Sequence, residues 1–138
     1  MSEKTLFEYA VIRVVPRVER EEFLNVGVIL YCPKLKYLQL IYTLNPDRLK
    51  AFASPGSGTL PQSTDHPDIG ELEEHLRAFE AITLGHTTGG PIARLDIASR
   101  FRWLTATRST VLQTSKVHPG FCSDPAAALI RLHATLVL

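Results

Sequence analysis

The chain has few cysteines and no long apolar run. Its two cysteines, Cys32 and Cys122, lie far apart and form no CxxC pair, which favours reduced thiols in a cytoplasmic protein over a disulfide framework. No apolar segment approaches the ~20 residues that a membrane-spanning helix needs. The N-terminal residues lack the basic and apolar regions of a signal peptide. We therefore expect a cytoplasmic protein with no membrane partner.

An excess of charge of either sign is also absent. Fifteen lysines and arginines oppose 14 acidic residues, so the net charge is +1. No general electrostatic force therefore draws the chain to nucleic acid, which is the less expected partner. The hydrophobic fraction of 45% over 138 residues is ordinary for a globular protein. We expect one domain over residues 1–138.

The sequence also lacks the motifs of metal and nucleotide chemistry. None of the five histidines stands at HxH or HExxH spacing, so we expect neither a metal ion nor a cofactor. The segment Gly89-Gly90-Pro91 has no lysine and no serine or threonine of a phosphate-binding loop. With no recognisable catalytic constellation, the sequence leans against an enzyme.

Alternating and β-branched residues predict four strands. They cover residues 9–15, 23–31, 37–42 and 111–115. Short connections between the first three strands favour an antiparallel meander.

Helix signals occupy the rest of the chain. Caps at Asn45-Pro46-Asp47 and Ser123-Asp124-Pro125 each predict a helix start, and apolar spacing predicts a helix over residues 68–83. Residues 98–105 predict a short helix or turn. The Gly-, Pro- and Ser-rich residues 54–67 predict a mobile surface loop. The sequence thus predicts an α+β fold, in which helices pack on one face of an antiparallel sheet, a meander of three strands plus a fourth.

Strand periodicity assigns one almost wholly apolar face to the core. Its members are Ala10, Ile12, Val14, Leu24, Val26, Val28, Leu30, Leu38, Leu40 and Tyr42. The opposite face is mixed and carries Tyr9, Val11, Arg13, Phe23, Asn25, Gly27, Tyr31, Tyr37, Gln39 and Ile41. A hairpin of the first two strands would place Arg13 beside Asn25, unless a bulge shifts the register.

Asn25 and Gly27 stand out, because both residue types are depleted in strands. An asparagine in this setting either satisfies backbone groups at a bulge or contacts a ligand. Because glycine has no side chain, Gly27 would leave a depression on this face of the strand, where another group can approach. Nearby Glu22 could act as a general base only if it were desolvated.

Arginines alternate with aromatic residues between positions 94 and 108. Such a pattern can bind phosphates and stack bases, with Arg100, Thr105 and Arg108 as donors here. The same pattern also fits Phe101 and Trp103 in the core, with the arginines in ion pairs.

Two groups of residues together resemble the bacterial domain-of-unknown-function family 3037. The first group is Tyr9-x-x-x-Arg13-x-x-Pro16 followed by Glu22-Phe-x-Asn25-Val-Gly27-Val, and the second is Arg100-Phe-Arg-Trp-Leu-Thr105, Arg108, Gln113, Gly120 and Asp124-Pro125. The resemblance implies a small bacterial protein with no established activity and, through neighbouring genes, a kinase-fold partner related to the HipA toxin. The candidate binding surface consists of the matching positions Arg13, Glu22, Asn25, Gly27, Arg100, Thr105 and Arg108.

Two functions remain open. One is a non-enzymatic protein-interaction module, accessory to a HipA-like kinase-fold protein, and it predicts an exposed edge strand or apolar patch. The other is a phosphate- or nucleic-acid-related function, binding or hydrolytic, and it predicts that Arg13, Asn25 and Arg108 converge in one pocket. Arg100 would help the other two arginines to hold the anion, and Glu22 would be the base. A homo-oligomer paired through its sheet edge is compatible with either function.

Overall fold

The computed structural model describes residues 3–15, 23–53, 69–106 and 111–138. Within these ranges the strands are β1 (Thr5–Val14), β2 (Leu24–Cys32), β3 (Tyr37–Tyr42), β4 (Leu112–Thr114) and β5 (His118–Cys122). The α-helices there are α1 (Pro46–Ala53), α2 (Ile69–Leu84), α3 (Ile97–Leu104) and α4 (Pro125–Leu136). Two short 3-10 helices, Thr87–Gly89 and Pro91–Arg94, connect α2 to α3. The loop predicted over residues 54–67 lies outside the described residues.

The five strands form one antiparallel sheet. β3, β2 and β1 are consecutive neighbours, which confirms the predicted meander, and β4 pairs with the C-terminal end of β1. β5 continues along the same side of β1 and pairs with residues 5–9. The α+β class with an antiparallel sheet is therefore confirmed.

β5 is the strand that the sequence did not predict. Pro119 and Gly120 lie inside it, and both residue types argue against a strand. Proline is tolerated here because β5 is an outer strand, where one side of the backbone needs no ladder partner. Gly120 lies opposite Phe7, and the Phe7 ring fills the space that a Cβ at position 120 would take.

Capping groups fix the helix ends where the sequence predicts them. The Asn45 side chain accepts hydrogen bonds from the amides of Asp47 (3.0 Å) and Arg48 (3.2 Å) at the start of α1. Asp124 accepts from the amide of Ala126 (3.1 Å) at the start of α4. α3 is a full helix, and the carboxylate of Asp96 caps it. These caps satisfy amides that have no partner inside a helix.

A bulge in β2 corrects the predicted faces. Ile12 pairs with Gly27, but the next residue, Arg13, pairs with Asn25, so Val26 is the extra residue. Because side chains alternate along a strand, one extra residue exchanges the two faces of β2 beyond it. Val28 and Leu30 therefore lie on the face opposite to that of Val26, not with it as periodicity predicted.

Helices cover both faces of the sheet, which corrects the prediction of helices on one face. On the first face, Ala10, Ile12, Val14, Val26, Ile29 and Leu40 pack with apolar residues of α1, α2 and α3. On the second, Phe7, Val28, Leu30 and Cys32 pack with Ala128 and Leu129 of α4. We call these the α2/α3 face and the α4 face. The sheet is thus the middle layer of three.

Replacing Gly27 by alanine should destabilise the fold. A Cβ at position 27 would lie 2.8 Å from the Ile41 carbonyl oxygen and 2.9 Å from the Tyr42 Cβ, so β3 would have to move. We expect the free energy of unfolding to fall by about 1–3 kcal/mol, as in overpacked cores. Urea unfolding followed by circular dichroism measures this, and an unchanged midpoint would contradict the close packing of β2 and β3.

Candidate functional site

Three polar residues form a row across the sheet. Arg13 of β1 pairs with Asn25 of β2 on one side and with Gln113 of β4 on the other. Directly opposed residues of antiparallel strands project from the same face, so the three side chains share the α4 face. The register confirms the predicted pairing of Arg13 with Asn25. We call these residues the polar row.

Arg13 carries a donor that the described protein does not satisfy. Its guanidinium carbon lies 3.8 Å from the centroid of the Phe23 ring, a stacking that stabilises a cation. Its Nε atom is buried and has no hydrogen-bond partner among the described residues. Partial burial lowers the pKa of Arg13 by desolvation. A buried donor without a partner is costly, so an acceptor placed there would be stabilising.

Asn25 holds the end of α4. Its Nδ2 donates to the carbonyl oxygen of Leu136 at 3.1 Å, and Arg48 Nη1 donates to the carbonyl oxygen of Val137 at 2.6 Å. The last carbonyls of a helix have no partner inside it, so both contacts stabilise this terminus. This geometry supports the structural interpretation of Asn25, although its Oδ1 atom is buried without a partner among the described residues.

A cleft of about 210 Å³ opens beside Asn25. Its lining consists of Leu24, Asn25, Val26, Thr43, Asn45, Arg48, Val137 and Leu138. Ligand sites usually enclose about 300–1,000 Å³, so this cleft suits only a small group. Its polar atoms are mostly engaged in capping α1 and holding α4.

Other predicted site residues do not join the polar row. Gly27 pairs with Ile12 and therefore lies on the α2/α3 face. Arg100 lies in the α2/α3 layer too, because its guanidinium fills the space beside Gly85 at the end of α2. Thr105 donates its hydroxyl to the carbonyl oxygen of Phe101 at 2.8 Å and so ends α3. Glu22 and Arg108 lie outside the described residues, so their predicted roles stay predictions.

The arginine- and aromatic-rich segment is mainly part of the core. Phe101 and Leu104 are fully buried, and the Phe101 ring centroid lies 5.2 Å from that of Tyr31. Arg102 Nη1 lies 2.8 Å from the Glu8 carboxylate. Trp103, in contrast, stays 41% exposed. The core interpretation therefore holds for Phe101, and Arg102 uses its charge in an ion pair.

Sequence reasoning missed His133 as a structural group. The side chain is buried on α4, and its Nε2 lies 3.0 Å from the Thr43 hydroxyl. Desolvation lowers the pKa of His133. The available signal was its place four residues after Leu129, on the apolar stripe of the helix. His133 thus ties α4 to the segment that follows β3.

A family model described as a protein of unknown function (DUF3037) matches residues 9–137. The chain belongs to this family, which confirms the resemblance found in its sequence. Neither the curated proteins nor the solved structures contain a match to the chain.

The described residues hold no group of three His, Cys, Asp or Glu side chains positioned to bind a metal ion. Over the same residues, no helix combines the length and apolarity needed to cross a membrane.

Replacing Asn25 by alanine should loosen the end of α4. The change removes the donor to Leu136 and leaves a carbonyl unpaired, so we expect a loss of about 1–3 kcal/mol of folding free energy. Arg77→Ala is the control, because its ion pair with Glu73 is exposed and the loss of such a pair should cost under about 0.5 kcal/mol. Urea unfolding compares the two variants. Equal losses would contradict a structural role for Asn25.

Burial of His133 should make stability depend on pH. Its pKa is lower in the folded state than the ordinary value of about 6.5 in the unfolded chain. The neutral ring therefore stabilises the fold above pH ~6.5, and this contribution is lost as the pH falls through the folded pKa. We expect His133→Gln to flatten the dependence of the unfolding midpoint between about pH 7 and 5 relative to wild type. Identical slopes in wild type and His133→Gln would contradict this account.

Proposed function

We propose that the chain is a non-enzymatic protein-interaction module, accessory to a kinase-fold partner related to HipA. The family resemblance supplies the class of partner. The observation that carries the proposal is an exposed apolar pair, Leu6 at 47% and Phe121 at 65% exposure.

Leu6 and Phe121 form one surface. They are direct partners across β1 and β5, so both side chains project from the same face of the sheet. Glu8, two residues along β1, shares that face and pairs with Arg102. An aromatic anchor with a charged rim is the usual composition of a protein-binding surface. We call these four residues the β5 surface.

Phosphate binding at the polar row is a second candidate function. The Nε–H of Arg13, which has no partner among the described residues, supports it, because a planar guanidinium binds phosphate oxygens with more than one hydrogen bond. Asn25 and Gln113 flank Arg13 in register. This function needs the row to be reachable by a phosphate from the α4 face.

The first candidate is tested by capture of a kinase-fold protein from the host bacterium. Tagged wild type, Phe121→Lys and Ile130→Lys are compared, with bound proteins identified by mass spectrometry. Ile130 is a matched control because it is an apolar residue of α4 with 62% exposure. We expect wild type and Ile130→Lys to retain a kinase-fold protein in near-equal amounts. Phe121→Lys should lose it, because a lysine ammonium cannot enter an apolar pocket without a desolvation cost.

Three results would change this conclusion. Recovery of no kinase-fold protein would contradict the proposed partner. Equal loss in Phe121→Lys and Ile130→Lys would contradict the β5 surface as the place of contact. Nucleotide or nucleic acid in the eluate, lost on Arg13→Ala, would favour the phosphate function instead.

A further inference from the structure

Over the residues that the structure describes, β3 forms one edge of the sheet. Among the described residues it pairs only with β2. Its six residues, Tyr37 to Tyr42, include no charged residue, proline or glycine. Proteins usually protect outer strands with lysine, proline or an interruption, because an open strand can pair with another chain. The opposite edge has such protection: Pro119 lies within β5, and the strand is interrupted between β4 and β5.

The direction of the free backbone groups follows from one hydrogen bond. The amide of Thr43 donates to the carbonyl oxygen of Val26 at 2.7 Å, so Thr43 points its backbone groups toward β2. Both groups of a residue in an antiparallel strand point the same way, and the direction alternates along the strand. The N–H and C=O groups of Leu38, Leu40 and Tyr42 therefore point away from β2.

We propose that β3 pairs antiparallel with β3 of a second copy of this chain, about a twofold axis at Leu40. In this register Leu40 lies opposite Leu40 of the second copy, and Leu38 lies opposite Tyr42. It pairs every outward backbone group of the strand. The two sheets become one continuous sheet, a symmetric contact of the kind that most homodimers use.

The distribution of charged residues around β3 favours a second copy of the chain as its pairing partner. The twofold axis places the α4 face of one copy beside the α4 face of the other, so Gln39 lies opposite Ile41 of the second copy. No charged side chain therefore enters the strand contact. The antiparallel arrangement also directs Lys36, exposed just before β3, toward exposed Asp47, which follows β3 in the other copy. Arg48, next to Asp47 and also exposed, is held at the carbonyl oxygen of Val137, so Asp47 is the charged group that we expect Lys36 to meet at each end of the contact. The β5 surface lies at the opposite edge of the sheet, where β5 pairs with β1, so the two contacts do not compete.

Analytical ultracentrifugation of the purified full chain tests the proposal by measuring the oligomeric state. Wild type, Gln39→Lys and Phe121→Lys are compared, and circular dichroism checks that each variant is folded. We expect wild type and Phe121→Lys to be dimers. In Gln39→Lys the dissociation constant should rise about tenfold or more, because a charge then lies in the strand contact. A monomeric wild type would overturn the proposal, and so would an unchanged dimer in Gln39→Lys. Phe121→Lys should remain a dimer whether or not the proposed function is correct, because Phe121 lies at the opposite edge of the sheet.

Cross-linking tests the register. Gln39 and Ile41 of the second copy form a non-hydrogen-bonded pair, whose Cα atoms lie about 4.5 Å apart, within disulfide reach. The double variant Gln39→Cys/Ile41→Cys should form a covalent dimer on mild oxidation, and each single variant should form far less. A double variant that cross-links no better than the single ones would overturn the register with Leu40 on the axis.

Discussion

One extra residue, Val26, determines how this fold is arranged. Ile12 pairs with Gly27 and Arg13 with Asn25, so Val26 has no partner in β1. In a strand without a bulge, Val28 and Leu30 would lie on the same face as Val26, against α2 and α3. In this structure they lie on the α4 face and pack against that helix. The bulge thus provides both cores of the three-layer structure.

The same bulge explains the most unusual residues of the sequence. Asn25, just before the bulge, reaches the last turn of α4, and Gly27, just after it, lets β3 approach closely. Both are strand-disfavoured residues whose contacts are with the protein itself. Arg13 stacks on the Phe23 ring, but its Nε atom, like Oδ1 of Asn25, has no hydrogen-bond partner among the described residues. Since helices cover both faces, most of the surface left for a protein partner lies at the edges of the sheet.

Much of this arrangement could be predicted from the sequence. Local signals sufficed for the meander and for the caps at Asn45 and Asp124, because each depends on residues close in the chain. The faces of β2 could not be predicted, since a bulge does not interrupt the apolar run around Gly27. β5 was hidden by Pro119, whose acceptability depends on an edge position that only the tertiary fold defines.

The candidate site shows the same limit. Pairing of Arg13 with Asn25 followed from a simple hairpin, whereas the place of Arg100 depended on how α3 meets Gly85. Neither the exposure of Phe121 nor its closeness to Leu6 was visible in the sequence, because they come from a strand that pairs with β1 over a long sequence distance.

Hydrogen–deuterium exchange with and without the proposed kinase-fold partner tests the central claim, that a partner contacts the edge formed by β1 and β5 and not the polar row. The account predicts slower exchange in residues 5–9 and 118–122, with no change around Asn25 or the end of α4. Slower exchange confined to residues 24–26 and 133–137 would contradict it.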